Sequence, residues 1–267
     1  MRLKYLDTRH GQVHARSWTA DQGTTEPTLV CLHPIPYSGA FFETVAPYLG
    51  SGRNLVALDY PGYGGSPLPE SRLDITQLAE TVQDCLDALE SDYPFDLLGF
   101  HTGCLVAAET ARLAPLRVSR LVLVDVPLFE EADRRERLES TPDRVALSPD
   151  LESLEGAWAF NVTRLSKVTS LERAHQLFVE QLRAGSRSNW GFLAAFEFPA
   201  ESCLAGVGTP ARVVATASPL LEGTRRAADL MPAAELVELP EIRGAAFEAH
   251  AEEIADQVNA FLAGAPV

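Results

Sequence analysis

With 267 residues, 46% hydrophobic and 22% charged, the chain has the balance of an ordinary globular protein and can bury one large core with at most an inserted subdomain. Its 37 Asp and Glu against 22 Lys and Arg give a formal net charge of −15, a field that repels phosphate backbones and anionic lipid. Nucleic acid and membranes are therefore excluded as expected partners; a small-molecule substrate or ligand remains, with room for a homodimer.

The first residues, MRLKYLDTRHG, hold no apolar signal segment, and no run approaches the length that spans a bilayer, so the expected location is the cytoplasm. Cysteines at 31, 85, 104 and 203 are too scattered for a zinc site or a Cys-x-x-Cys pair and read as buried thiols. No metal and no cofactor is expected.

Taken in order, residues 3–8 and 12–19 read as a hairpin turned by Arg9, His10 and Gly11. Residues 28–32 (TLVCL) and 55–58 (LVAL) are continuous apolar runs, the pattern of strands covered on both faces. Asp74 starts a helix, with Gln77 completing a capping box and Ile75, Leu78, Ala79, Val82, Leu86 and Leu89 forming its apolar face. Residues 95–100 (FDLLGF) form a strand, 103–113 an Ala-rich helix, and 121–126 (LVLVDV) another strand. This cadence implies parallel pairing through crossovers. From 128 to 208 no convincing strand appears, and Thr169 with Glu172 suggests a second capping box, so the segment reads as a helical insertion. Alternation resumes with a strand at 211–216, a helix near 222–231, a strand at 235–239 and a last helix at 250–262. The expected fold class is α/β: a doubly wound, mostly parallel sheet made of 1–127 and 209–267, with 128–208 as a helical lid.

Three segments, LVCLHPIPYSG at 29–39, ALDYPGYGGSP at 57–67 and LLGFHTG at 97–103, resemble the α/β-hydrolase superfamily in order and spacing over essentially the whole chain. In that family the third segment is the nucleophile elbow, usually Gly-x-Ser-x-Gly. Here it reads Gly99, Phe100, His101, Thr102, Gly103, with histidine where the resemblance expects serine. The acid expected after the strand at 211–216 is missing, because the chain continues Ala217, Ser218, Pro219, Leu220. The base expected before the last helix falls on Arg243 and Gly244. A triad that loses all three members has left the serine mechanism.

What the resemblance retains is an oxyanion region, with backbone N–H donors expected at Ile35 and Thr102. His101 becomes the candidate general acid/base, and Asp125, ending the neighbouring parallel strand, its orienting carboxylate. The alternative for Asp125 is a loop cap. Thr102 is read as an N–H donor rather than a nucleophile, Cys104 as core and His250 as a helix-end surface residue. His33, Tyr37 and Phe100, with Trp158, Phe160 and Trp190 from the aromatic-rich insertion, are the expected lining of a largely apolar pocket. For His33 the competing reading is structural, a ring that holds its loop.

Three functions follow. The first is a cofactor-independent enzyme using His101 for non-hydrolytic lyase, isomerase, cyclase or dehydratase chemistry on a small, largely apolar carbonyl compound. The second is a catalytically inactive relative that binds an apolar molecule or partner. The third is a hydrolase with a His101 nucleophile or a displaced triad.

Overall fold

The computed structural model describes residues 1–20, 24–49, 52–89 and 94–264. Eight strands form one sheet in the order β1-β2-β4-β3-β5-β6-β7-β8. They are β1 (Arg2–Thr8), β2 (Gly11–Trp18), β3 (Leu29–Leu32), β4 (Leu55–Leu58), β5 (Phe95–Phe100), β6 (Val118–Val124), β7 (Ala211–Thr216) and β8 (Ala234–Leu239). The β1–β2 hairpin and the β2–β4 pair are antiparallel; from β4 through β8 every pairing is parallel. Gly11 closes the hairpin at φ 104°, a conformation that favours glycine.

The apolar runs are continuous because both faces are covered. Along β3, Val30 and Leu32 point into one core cluster, with helix α2 (Ile75–Ala88), while Leu29 and Cys31 point into the other, with helix α11 (Ala251–Leu262). Residues two apart thus share a face, as pleating requires. Asp74 caps α2 as expected: its side chain accepts from the Gln77 N–H, and the Gln77 side chain returns a bond to the Asp74 N–H. All four cysteines are buried free thiols.

Helix α3 (Thr102–Leu113) follows β5 directly. Short turns that carry no sequence periodicity fill the connection after β3: a 3₁₀ turn, Gly39–Phe42, and helix α1 (Ala46–Leu49). Between β6 and β7 the described residues are helical: α4 (Glu131–Ser140), α5 (Glu152–Trp158), a π-helical turn (Ala159–Arg164), α6 (Leu171–Arg183), α7 (Trp190–Glu197) and α8 (Ala200–Ala205). The N-cap of α6 is Ser170, whose Oγ accepts from the Arg173 N–H, one residue beyond the Thr169 start expected from sequence. Either hydroxyl precedes a polar third residue, and the backbone geometry at Ser170 decides between them. Helix α4 has no buried residue; its Glu131 pairs with Arg134 and Arg135 along the solvated face. Helix α9 (Leu221–Leu230) and the short α10 (Ala246–Ala249) complete the C-terminal half. No helix among the described residues is long and apolar enough to cross a membrane.

Candidate active site

The turn from β5 into α3 is built around two glycines with no room for a side chain. A Cβ on Gly103 would lie 2.0 Å from the Leu32 carbonyl oxygen, and one on Gly99 would lie 2.5 Å from the Gly103 carbonyl oxygen. That close approach presses α3 onto the end of β3 and forces the residue between into an unusual conformation. His101 has φ 48° and ψ −118°, its N–H held by the Val124 carbonyl of β6 at 3.1 Å. A non-glycine residue in this region costs on the order of 1–3 kcal/mol and persists only when the surroundings enforce it.

The His101 ring is partly accessible and has no hydrogen-bond partner among the described residues. It lies against Phe100, ring centroids 3.9 Å apart, and Phe100 in turn stacks on Phe41 at 5.4 Å and meets Phe247 at 4.8 Å. Burial lowers the His101 pKa to about 4, so the imidazole is neutral at pH 7. Phe41 and Phe247 escaped the sequence reading, because rings this far from Phe100 in the chain leave no local pattern. Phe247 lies on α10, just after Gly244.

Asp125 does not reach the ring. It adopts φ 53° and turns onto β7, where Oδ1 accepts from the Thr216 N–H at 2.8 Å and Oδ2 from the Thr216 hydroxyl at 2.7 Å. Burial pushes its carboxyl pKa up, partly offset by the bonds from Thr216 and Ser218. The expected orienting contact to His101 is therefore replaced by a tie between neighbouring strand ends, the loop-holding use of Asp.

The loop after β3 carries Ile35. Ile35–Pro36 is a cis peptide, and the Tyr37 N–H bonds the Pro34 carbonyl at 3.0 Å. Neither the Ile35 N–H nor the Thr102 N–H donates to a protein acceptor among the described residues, so both remain able to bind a ligand oxygen. His33 is fully buried: Nδ1 bonds the Pro34 carbonyl at 3.0 Å, and Nε2 accepts from the Tyr60 N–H at 3.1 Å. With both nitrogens engaged and its pKa lowered by burial to about 4, His33 holds the loop and offers a ligand no free nitrogen.

Asp59, ending β4, braces the same loop. It accepts from the Gly39 N–H at 2.7 Å, the Gly65 N–H at 2.8 Å, Arg16 at 2.8 Å and His14 Nδ1 at 2.8 Å. Burial alone would raise its pKa, but these donors outweigh burial and hold it at about 2. Sequence spacing gave no sign of this cluster, because His14 and Arg16 come from the hairpin.

The remaining lining candidates are spread over the insertion. The Tyr37 hydroxyl donates to Asn161 Oδ1 at 2.7 Å. Trp158 and Phe160 are largely exposed, Trp158 against His175 and Phe178 and Phe160 beneath Arg164. Trp190 lies over the loop after β4, beside Pro61, Leu68 and Pro69, its indole N–H donating to the Asp143 carbonyl. Phe129, Phe192 and Phe196 pack on one another, and Phe198 enters the main core. At the far side of the sheet edge, Arg243 and Gly244 are exposed, and His250 meets Glu253 at the start of α11.

The strand order, the glycine-flanked elbow after β5 and the donor loop after β3 define an α/β-hydrolase fold. A thioesterase-domain family model matches residues 27–188, more than half of the chain, and the chain belongs to that family. Among curated proteins it resembles a pimeloyl-(acyl-carrier protein) methyl ester esterase of Aeromonas salmonicida, 35% identical over 109 residues, covering 40% of this chain and 41% of that protein. It also resembles an uncharacterized hydrolase of Saccharomyces cerevisiae, 28% identical over 116 residues, covering 43% of this chain and 40% of that protein. The matches thus span less than half the length of these relatives. Solved structures agree over the whole chain: a hydrolase of Pseudomonas aeruginosa superposes with a TM-score of 0.80 at 24% identity, covering 98% and 99% of the two chains. An esterase of a Rhodococcus species gives 0.79 at 20% identity, covering 99% of each. At these identities the likeness establishes the fold.

Proposed function

We propose that this protein is an α/β-hydrolase-fold enzyme in which His101 stands where the family carries its nucleophilic serine and works as a general base on a small, largely apolar carbonyl compound. The observation that carries the reading is the His101 ring itself: neutral, without a hydrogen-bond partner among the described residues, and held on a strained turn between two glycines. A site with no further use for that side chain has no reason to keep the strain. The free N–H groups of Ile35 and Thr102 supply the complementary half, since paired donors stabilise negative charge developing on a carbonyl oxygen.

In this chemistry the imidazole takes a proton from the carbon beside the carbonyl, the C–H electron pair moves into the carbonyl, and the resulting enolate oxygen rests on the two N–H donors. The imidazolium then returns the proton elsewhere, which isomerises the substrate, or to a leaving group, which eliminates it. A base whose conjugate acid has a pKa of about 4 suits a carbon acid activated by a second carbonyl, such as a β-keto ester or thioester. Asp125 is not needed for proton transfer; His101 acts from its own geometry.

The test is stereospecific deuterium uptake from D₂O into 2-substituted β-keto esters and thioesters, read above buffer background. His101→Ala should lower the enzymatic rate by about 10²–10⁴, the usual range for removing a general base. The wild-type rate should climb as pH rises through about 4, where the ring loses its proton, and stay level to neutrality. A rate unchanged in His101→Ala would remove the catalytic role, and fluorophosphonate labelling of a serine or of Thr102 would replace it with ordinary hydrolysis.

A further inference from the structure

The donor loop is held from two sides, by the sheet edge and by the insertion. Its own backbone contributes one closing bond, from the Tyr37 N–H to the Pro34 carbonyl. From the core come His33, bonded to the Tyr60 N–H, and Asp59, bonded to the Gly39 N–H. The helical segment above adds contacts at 35, 37 and 38, beside the Phe41 ring that packs on Tyr37 and the Gly64 backbone that lies close to Ser38. A Cβ on Gly191 of α7 would lie 2.4 Å from Ile35 Cγ1, so α7 rests directly on the Ile35 side chain. Asn161 accepts from the Tyr37 hydroxyl at 2.7 Å, and Glu180 of α6 accepts from the Ser38 hydroxyl at 2.5 Å.

These contacts are built. Ser38 and Asn161 are fully buried and Glu180 is 7% exposed. Asn161 sits in the π-helical turn and is fixed from behind by bonds from its Nδ2 to the Ala157 carbonyl and to Gln181. π turns often mark functional positions because the wider turn re-aims a side chain. The Ser38 hydroxyl also accepts from the Ala40 N–H, which starts the 3₁₀ turn, so Glu180 grips the point where the loop becomes helical. Glu180 thus spends a buried side chain on a single loop hydroxyl rather than on solvent.

We propose that Glu180 and Asn161 are positioning residues: through Ser38 and Tyr37 they set the direction of the Ile35 N–H, so that the oxyanion donor is complete only when the helical segment is seated on the loop. The inference deepens the proposed function, since it assigns the alignment of that site to the insertion. Donors must sit within about 0.5 Å of the productive geometry, and a loop whose backbone is closed only between 34 and 37 depends for that on the side chains packed on it.

The test uses the full chain labelled with ¹⁵N, in Glu180→Ala, Glu180→Gln and Asn161→Ala. Gln keeps an oxygen acceptor for Ser38, so Glu180→Gln is the rescue variant. The Ile35 amide resonance should move by several linewidths in Glu180→Ala and in Asn161→Ala, and stay near wild type in Glu180→Gln, while the Thr102 amide and the His101 ring resonances hold still. In the deuterium-uptake assay kcat should fall by about 10-fold to 10²-fold with KM unchanged, less than loss of a whole donor. An Ile35 resonance that stays put in both alanine variants overturns the proposal. So does one that moves together with Thr102 and His101, which marks general loosening. If Glu180→Ala does not fold, Asn161→Ala decides alone. Absence of deuterium uptake in the wild type would strike the base role of His101, and the Ile35 resonance would still decide the positioning role.

Discussion

The two sides of the sheet edge have been treated differently. Toward β3 and β5 the packing is tight and specific: the glycines at 99 and 103, the strained His101, the Ile35 and Thr102 N–H groups without a protein acceptor among the described residues, the Asp59 brace. Toward β7 and α10, where a proton relay would stand, Asp125 is turned onto Thr216, Arg243 and Gly244 face solvent, and Phe247 packs against Phe100. On the proposed reading, polarising a carbonyl and relaying protons are separable parts of this fold, with the first assigned to the Ile35 and Thr102 N–H groups and the second to His101 alone.

Stability gives the largest expected contrast between the sides. Gly103→Ala drives a Cβ to 2.0 Å from a backbone oxygen that no rotamer change can move. It should cost about 3 kcal/mol or more, lowering Tm by roughly 10 °C in a chain of this size. Gly244→Ala meets nothing within 4 Å and is penalised only by its φ of 90°, about 1 kcal/mol. Thermal unfolding of the two variants compares the sides directly. Equal losses would mean that the elbow is not the constrained side.

Next in size is a contrast between two buried carboxylates. Asp59 is held at about 2, below its unfolded value near 3.9, so it contributes stability that is complete above about pH 4 and lost as pH falls toward 2. The contribution is about 2 kcal/mol at pH 7, and Asp59→Asn should remove both it and that part of the acid slope. Asp125 has the opposite sign: its folded pKa is raised, so ionisation costs stability as pH rises. Asp125→Asn can still accept from the Thr216 N–H and should change stability at pH 7 by less than about 1 kcal/mol. Denaturant titrations at several pH values test both. A larger loss in Asp125→Asn than in Asp59→Asn would reverse the comparison.

How far the sequence could be read follows the same division. The strands at 55–58, 95–100 and 211–216 coincide with β4, β5 and β7 because apolar runs bounded by turn residues are local signals. The elbow was legible through the resemblance of residues 97–103 to the family's elbow, and its glycines at 99 and 103 prove to have no room for a side chain. Asp125 stayed open between a partner of His101 and a loop cap because adjacency along the sheet edge says nothing of a turn at φ 53°, and its bonds to Thr216 give the second. Glu180 was invisible: its partner Ser38 lies 142 residues away, and a lone acid on an amphipathic helix reads as solvated. Of the expected lining, Phe100 lies against His101, whereas Trp158 and Phe160, which look like pocket residues by composition, are exposed.

The smallest effect belongs to the loop before α10. Arg243 is exposed and adjoins a glycine with open space around it, so Arg243→Ala removes neither packing nor a buried bond. Stability should change by less than about 0.5 kcal/mol, the norm for a surface substitution. Deuterium uptake should stay within about twofold of wild type, since a solvated guanidinium is screened from a reacting centre. The measurement is informative because a cation beside a developing enolate would act in the same direction as the N–H donors. A tenfold loss in Arg243→Ala would place a charge at the site during the reaction, and the β7 and α10 side would then share in polarising the substrate.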